Sequence, residues 1–571
     1  MMMSELPPFL IFFAAALLVL LVRGQLSKLF LLAAPILTGL HIWMNIQIGD
    51  AFTYSLLNLE LQFLRVDKLS LLFAYLFCIA SLIATIYAIH VDDLKQQLAA
   101  LLYAGSAIGA VFAGDLLTLF IFWELLAISS VFFIWARGTE KALKAGIRYL
   151  IFQITSGVFL LAGALVYFKT TGSLSFNHIG LGNTAGWLIM IAFGIKSAFP
   201  FLHTWLTDGY PEATVTGTVF LSAFTTKVAV YALARGFAGE EILVYIGVTM
   251  ACFPIFYAVI ENDLRKVLAY SLINQVGFMI TGIGIGTALA LNGAVAHAFS
   301  DVIFKGLLFM SMGAVLHRVG HVNGSDLGGL YKTMPKTAAL CIVGALSISA
   351  FPLFSGFVSK SMVMTAMMQE HYDYLWLLML FASAGVFHHA GIKIPYFAFF
   401  AHDSHLRPQE APRNMLLAMS LAAFLCIFIG SQPQFLYAML PMPVEYWPYD
   451  VTHVLAQLQL LFFSAMAFVW LNKVGIYPPE LRSVNVDAEW FYRKLLPVSA
   501  RNVIMTLSDD KAYIKSSITN TFNRLRNGFS QMSIARYHLS ESWPTGSMVV
   551  WISVILAAYL LLDSFVYKTI Q

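Results

Sequence analysis

Apolar runs of about 20 residues, the length a helix needs to cross a hydrocarbon core of roughly 30 Å, recur along the whole chain between short polar stretches. Sixteen are read, near 7–23, 28–47, 68–90, 97–114, 115–135, 145–168, 185–205, 213–236, 241–260, 264–286, 288–316, 337–367, 374–400, 413–432, 453–473 and 547–567. Two are long and interrupted. In WLIMIAFGIKSAFPFLHTWLTDGYPEA the residues Gly194, Lys196 and Pro200 fall mid-span, and in LCIVGALSISAFPLFSGFVSKSMVMTAMM so do Pro352, Gly356 and Lys360. Each reads as a broken helix with a lysine at the break. Such helices, one in each half of a chain, point to inverted repeats with ion sites near the midplane. Spans four to eight and nine to thirteen would form two five-helix units. A partial period of two around 53–65 predicts a small hairpin.

Composition agrees: 59% of the 571 residues are hydrophobic, 11% are charged, and the mean hydropathy is +0.77. The fold class expected is an all-α polytopic membrane protein, since lipid leaves only helices or closed barrels and the short alternating strands of a barrel are absent. The first apolar run lacks a basic segment before it and a small-residue cleavage site after it, so it reads as a retained span. Cys78, Cys252, Cys341 and Cys426 lie inside apolar runs without metal-ligand spacing, as inert residues do. With the first span starting outside, odd-numbered loops up to residue 413 carry fourteen Lys and Arg against four in even-numbered ones. Positive residues favour the inner face, so both termini are expected outside and the stretch 474–546 inside. That stretch interleaves arginines and lysines with Trp490, Phe491, Tyr492, Tyr513, Phe522 and Phe529, as an amphipathic surface helix does. Pro497 and Gly528 argue against one uninterrupted rod. Nothing in it resembles a nucleic-acid-binding module.

The domain organisation expected is 1–94 N-terminal spans with the hairpin, 95–240 the first repeat, 241–412 the second, 413–475 further core spans, 476–545 the amphipathic segment and 546–571 a final span.

Candidate chemistry lies in ionisable residues inside spans, which cost about 3 kcal/mol or more at the bilayer centre and therefore face protein or water. In AVAHAFSDVIFKGLLFMSMGAVL, His297, Asp301 and Lys305 at i, i+4 and i+8 share a face, as part of a proton relay would. Glu124 is the one carboxylate deep in the fifth span, and Lys196 is its candidate buried partner; a helix-to-helix tie is the plain alternative. Lys196, Lys227 in FLSAFTTKVAVYALA, Lys305 and Lys360 are candidates whose alternative is snorkelling to an interface, and Lys393 near a span end fits snorkelling well. A hydrogen-bonded structural role is the alternative for His297. His203, His317 and His321 lie near span ends, and His388 with His389, about 100° apart on a helix, do not suggest a metal site.

GDLLTLFIFWELLAISS, FGIKSAFPFLHTWLTDGYPEA, ENDLRKVLAYSLINQVGFM, HAFSDVIFKGLLFM and FPLFSGFVSKSMV together resemble the antiporter-like subunits shared by respiratory complex I and Mrp-type cation/proton antiporters, over about residues 70 to 400. The resemblance implies a fourteen-helix core, two inverted five-helix repeats and a central polar axis. It assigns Glu124 and Lys196 to the charged pair of the first half, Lys227 to a bridging position, and Lys305 and Lys360 to the second half. TTKVAVYAL with Ser222 resembles the D-type subunit of Mrp antiporters, whereas the extra spans and the stretch before 547 resemble the distal complex I subunit or the large Mrp subunit. No G-x-G-x-x-G on a strand-to-helix turn and no P-loop occurs, and no cofactor or metal is expected.

The function expected is proton translocation within a multi-subunit Na+ or K+/proton antiporter in a bacterial inner membrane, with protons and Na+ or K+ as the ions moved. The partners expected are other membrane subunits and the lipid bilayer. The alternatives are a proton-pumping subunit of a complex I-like oxidoreductase and an energy-coupling subunit for inorganic-carbon uptake.

Overall fold

In the computed structural model, residues 6–56, 59–477, 480–481 and 485–507 are described. The chain divides into two compact units, one of Met1–Tyr54 with Leu61–Asn485 and the other of Ser55–Glu60 with Val486–Gln571. The elements run α1 Phe9–Leu21, α2 Gln25–Asn45, β1 Ala51–Leu56, β2 Leu59–Arg65, α3 Lys68–Ala88, α4 Leu94–Phe112, α5 Leu116–Trp135, α6 Glu140–Thr171, α7 Thr184–Lys196, α8 Thr204–Gly209, α9 Gly217–Ala223 and α10 Thr225–Gly236. They continue α11 Ile242–Ile260, α12 Leu264–Ile285, α13 Ala288–Val319, α14 Pro335–Ile348, α15 Ser355–Gln369, α16 Asp373–Val386, α17 Lys393–Pro395, α18 Arg413–Ser431, α19 Pro433–Tyr437, α20 Val451–Val474 and α21 Leu496–Leu507. The only sheet among the described residues is the β1–β2 hairpin.

Eleven helices among the described residues are long and apolar enough to cross a membrane, and α1, α7 and α14 are shorter apolar helices. The count of sixteen spans is not reproduced by this measure, partly because two spans are broken and partly because 547–567 lies outside the described residues. Of the segment expected to be amphipathic, a π turn at Phe491–Leu495 leading into α21 is described, with Pro497 in the first turn, where a missing N–H is tolerated. Residues 508–545 of it lie outside the described residues.

Local sequence sets the helix ends. Asp67, Asp93, Asp115, Thr139, Asn183, Asp263 and Asp450 accept first-turn backbone N–H groups as N-caps. Burial then sorts the helices. The apolar windows of α9–α10, α12 and α13 are 100%, 94% and 94% buried, whereas that of α20 is 11% buried and presents Phe462, Phe463 and Trp470 outward. Polar side chains on the first group therefore face protein. Glycines bring α11 and α12 together: a Cβ on Gly277 would stand 2.5 Å from the Ala251 N, and one on Gly247 would stand 2.5 Å from the Thr281 N. Close backbone approach through small residues is how helices associate where lipid removes the hydrophobic drive.

Two stretches match at a shift of 148 residues. It carries α6 onto α13, both of 32 residues, the N-cap Asp115 onto Asp263, and the left-handed C-cap Gly172 onto Gly320. It also carries the isolated bridge Asp115–Ser175 onto Asp263–Asn323. Four residues further out of register, Ser197-Ala198-Phe199-Pro200-Phe201 matches Ser349-Ala350-Phe351-Pro352-Leu353. Ala198 and Ala350 have φ 64° and 56°, and Phe201 and Leu353 have φ 68° and 75°. At each break the third residue past the helix donates to a carbonyl five back, Phe199 to Gly194 at 2.9 Å and Phe351 to Leu346 at 3.0 Å. These are paired Schellman ends, with alanine in the position that usually takes glycine. The matched helices α6 and α13 are five spans apart, with α7–α8, α9–α10, α11 and α12 between them, so their direction through the membrane is inverted.

The span expected at 213–236 is broken too. Tyr103 Oη enters the ladder between α9 and α10 and accepts the Thr225 N–H at 3.0 Å, which frees carbonyls of α9 for other donors. The span expected at 374–400 contains π turns at Phe387–Ile392 and Tyr396–Phe400 around Lys393.

Candidate functional site

Lys196, Lys227 and Lys305 are fully buried and Lys360 is 3% exposed, so none snorkels. At the centre, Lys227 on α10 lies 2.6 Å from Asp301 Oδ2 on α13, with both side chains at 0% exposure. Lys227 Nζ also donates to the Ser222 carbonyl freed by the α9–α10 break, at 3.3 Å. The contact with Asp301 is an ion pair without aligned hydrogen-bond geometry, so both carboxylate oxygens keep acceptor capacity. Lys305 and Lys360 lie within the same electrostatic neighbourhood of Asp301. One buried carboxylate thus pairs with one lysine and lies within electrostatic reach of two more.

The stripe on α13 stands on one face, but its members bond elsewhere. Lys305 Nζ donates to Ser271 Oγ on α12 at 2.8 Å. His297 joins Ser359 Oγ on α15 through Nδ1 at 3.0 Å and Gln275 Oε1 on α12 through Nε2 at 3.1 Å. Lys360 donates to the Ile348 carbonyl at the α14 break, 3.3 Å away, and its ammonium lies 4.7 Å from the centre of the Phe278 ring. A cavity of about 350 Å³ reaches Lys360, Ser361, Ser383, His453 and Gln457, enough for several waters.

The first half differs. Lys196 Nζ donates to the Trp123 carbonyl and sits 4.4 Å from the centre of that indole ring. The expected direct pair with Glu124 is not formed: no contact within 4.0 Å joins them, because Trp123 next to Glu124 meets the ammonium first. The two remain within electrostatic reach. Glu124 Oε1 is buried without a partner and rests against Gly157 on α6, where a Cβ would overlap that oxygen. Shifted by 148 residues, Gly157 is the position of Lys305, Gln153 that of Asp301 and Tyr149 that of His297. Where the second repeat carries a lysine on its long helix, the first leaves a gap filled by a glutamate from α5. Gln153 is fully buried with both amide atoms unpartnered.

Lys393 corrects the snorkelling expectation outright. It is fully buried, donating to the carbonyls of Ala258 at 3.1 Å, Val259 at 2.6 Å and Glu261 at 2.7 Å, and pairing with Glu480 at 2.9 Å. The free carbonyls at the end of α11 attract an ammonium inward. Ser271, Asn274, Gln275 and Ser359 are further polar partners that sequence reading gave no role. Their signal is four polar side chains inside apolar spans. Arg265, buried, binds the carbonyls of Pro211 and Ala213 at 3.1 Å each, while Arg148 grips Asp208 at 2.6 and 2.9 Å. Together they fix the loop between α8 and α9.

Buried charge on central helices with broken ends marks a multi-pass membrane protein with a polar interior. Residues 113–387 match the family model described as NADH:quinone oxidoreductase/Mrp antiporter, TM. The chain is 28% identical over 358 residues to the D-type subunit of the Na(+)/H(+) antiporter of Alkalihalophilus pseudofirmus, covering 58% of this chain and 72% of that one. It is 26% identical over 423 residues to hydrogenase-4 component B of Escherichia coli, covering 64% and 62%. Among solved structures, a chain of an archaeal membrane-bound sulfane sulfur reductase shares the fold at a TM-score of 0.70 and 22% identity, covering 98% of this chain and 100% of that one. Over residues 113–387 the chain is therefore similar to the antiporter-like membrane subunits common to Mrp-type antiporters and complex I.

Proposed function

We propose that this chain moves protons across a bacterial inner membrane as one subunit of a multi-subunit Na+ or K+/proton antiporter. The observation that carries the reading is the fully buried Lys227–Asp301 pair between α10 and α13, with Lys305 and Lys360 within electrostatic reach of Asp301. A carboxylate shared among three ammonium groups makes a switch: whichever lysine it approaches holds its proton, and those it leaves release theirs. Residues 95–240 and 241–412 would act as two half-channels, Glu124 and Lys196 serving the first and His297, Lys305 and Lys360 the second. The cavity beside Lys360 supports water access at one end of the axis. A second cavity of about 270 Å³, lined by Arg137, Lys141, Glu212, Arg265 and His321, supports access from the basic face.

The test is Na+- and K+-dependent proton movement in inside-out vesicles made with the native neighbouring subunits. Wild type should collapse an imposed proton gradient on addition of one cation, and Glu124→Gln and Asp301→Asn should not. Full exchange by both inserted variants would overturn the reading. A redox-driven assembly is the second reading, favoured by the similarity to hydrogenase-4 component B; co-purifying iron–sulfur or quinone-binding subunits would select it.

A further inference from the structure

Beyond the axis, buried polar atoms without partners gather at one place, the C-terminal end of α11. His388 Nε2, both ring nitrogens of His389, Tyr477 Oη and Glu480 Oε2 are all buried and unpartnered among the described residues. The Gly385 carbonyl, one turn before His389, is out of hydrogen-bond geometry with its ring. Buried polar groups are nearly always satisfied, so such a concentration calls for ordered water. Lys393 sits in the middle, held by three carbonyls and by Glu480. Outward lies Glu261, which pairs with Lys266 at 2.9 Å and accepts from Asn485 at 3.1 Å. Inward, His389 is within electrostatic range of Lys305 as well as of His388 and Lys393. The stretch around it is a π turn, a helix form that recurs at functional sites.

We propose that Glu480, Lys393 and His389 form a hydrated proton port that connects the Arg- and Lys-rich face, cytoplasmic by the positive-inside rule, to Lys305. A proton taken up at Glu480 passes by water to His389, whose two free nitrogens let it receive on one side and give on the other, and then to Lys305. The port rests on the reading of the chain as a proton translocator. Capping of α11 explains the carbonyl bonds of Lys393; it leaves the five unpartnered atoms unexplained. Glu480 belongs to neither repeat, so the chain after α20 supplies an entry group that the repeats lack.

The experiment compares His389→Asn, Glu480→Gln, Glu480→Asp and Lys305→Ala in inside-out vesicles carrying the full chain with its native subunits, with proton flux expressed per chain. Lys305→Ala should be inactive, His389→Asn and Glu480→Gln should each lose about ten-fold or more, and Glu480→Asp should recover most of the flux. Wild-type flux in His389→Asn and Glu480→Gln with an inactive Lys305→Ala overturns the port and leaves the axis standing. Wild-type flux in Lys305→Ala overturns the axis and the port with it. A readout independent of transport is modification of Glu480 by a water-soluble carbodiimide, located by mass spectrometry. An adduct in intact inside-out vesicles is expected; an adduct only after denaturation overturns hydration of the site.

Discussion

Removing the carboxylate of Asp301 should harm the protein more than removing the ammonium of Lys227, although the two form one ion pair. Breaking a buried pair by neutralising one partner leaves an uncompensated charge and costs about 3–5 kcal/mol. The surroundings make the two losses unequal. After Lys227→Met, Asp301 still lies within electrostatic reach of Lys305 and Lys360. After Asp301→Asn, three lysines share a buried neighbourhood with no acid, and Lys227 keeps only the Ser222 carbonyl at 3.3 Å. The expected costs are therefore about 3 kcal/mol for Lys227→Met and about 5 for Asp301→Asn, the two ends of that range. The double variant Lys227→Met/Asp301→Asn removes both members and should fall at least about 2 kcal/mol short of the sum, the coupling expected of contacting residues. Unfolding of the purified chain in mixed micelles by increasing SDS, followed by fluorescence, gives all three values. Proton flux should stay lost in the double variant although its stability loss is smaller than the sum of the two single losses. Additive stabilities within about 0.5 kcal/mol, or equal costs for the two single variants, would refute the reasoning.

Gly157→Ala should displace the Glu124 carboxylate and lower transport, whereas Gly306→Ala, whose Cβ would meet nothing within 4 Å, should be silent in the same flux assay. Gly277→Ala should separate α11 from α12 and cost about 2 kcal/mol, read by the same SDS unfolding. Asp403 in the loop before α18 accepts from Arg407 at 2.9 and 2.8 Å and from Lys332 at 2.7 Å, which together hold its carboxyl well below the usual carboxylate range. A carboxyl lowered in the folded state contributes stability above its unfolded pKa and loses it as pH falls. The gap in thermal midpoint between wild type and Asp403→Asn should therefore be constant from about pH 8 to about 5 and shrink only below about pH 4; a gap that closes near neutrality would contradict the assignment.

Much was legible in the letters because lipid is a severe solvent. Run lengths gave the helices, Gly194, Lys196 and Pro200 with Pro352, Gly356 and Lys360 in mid-span gave the breaks, and each charge inside a run had to be buried or functional, so Glu124, Lys196, Lys227, Asp301, Lys305 and Lys360 stood out without any contact being known. The hairpin and the shared face of His297, Asp301 and Lys305 followed from period alone. Pairing did not follow, since it depends on which helices meet. Asp301 met Lys227 across the α10–α13 contact instead of its own neighbour Lys305, and Lys196 turned to the carbonyl and ring of Trp123 instead of Glu124. Tyr103 broke a span that reads as continuous, because its hydroxyl arrives from a helix more than a hundred residues earlier. Lys393 is the sharpest case. Near a span end a lysine can reach water, and only the placement of the last α11 carbonyls and of Glu480 made the interior the better solvent for its charge.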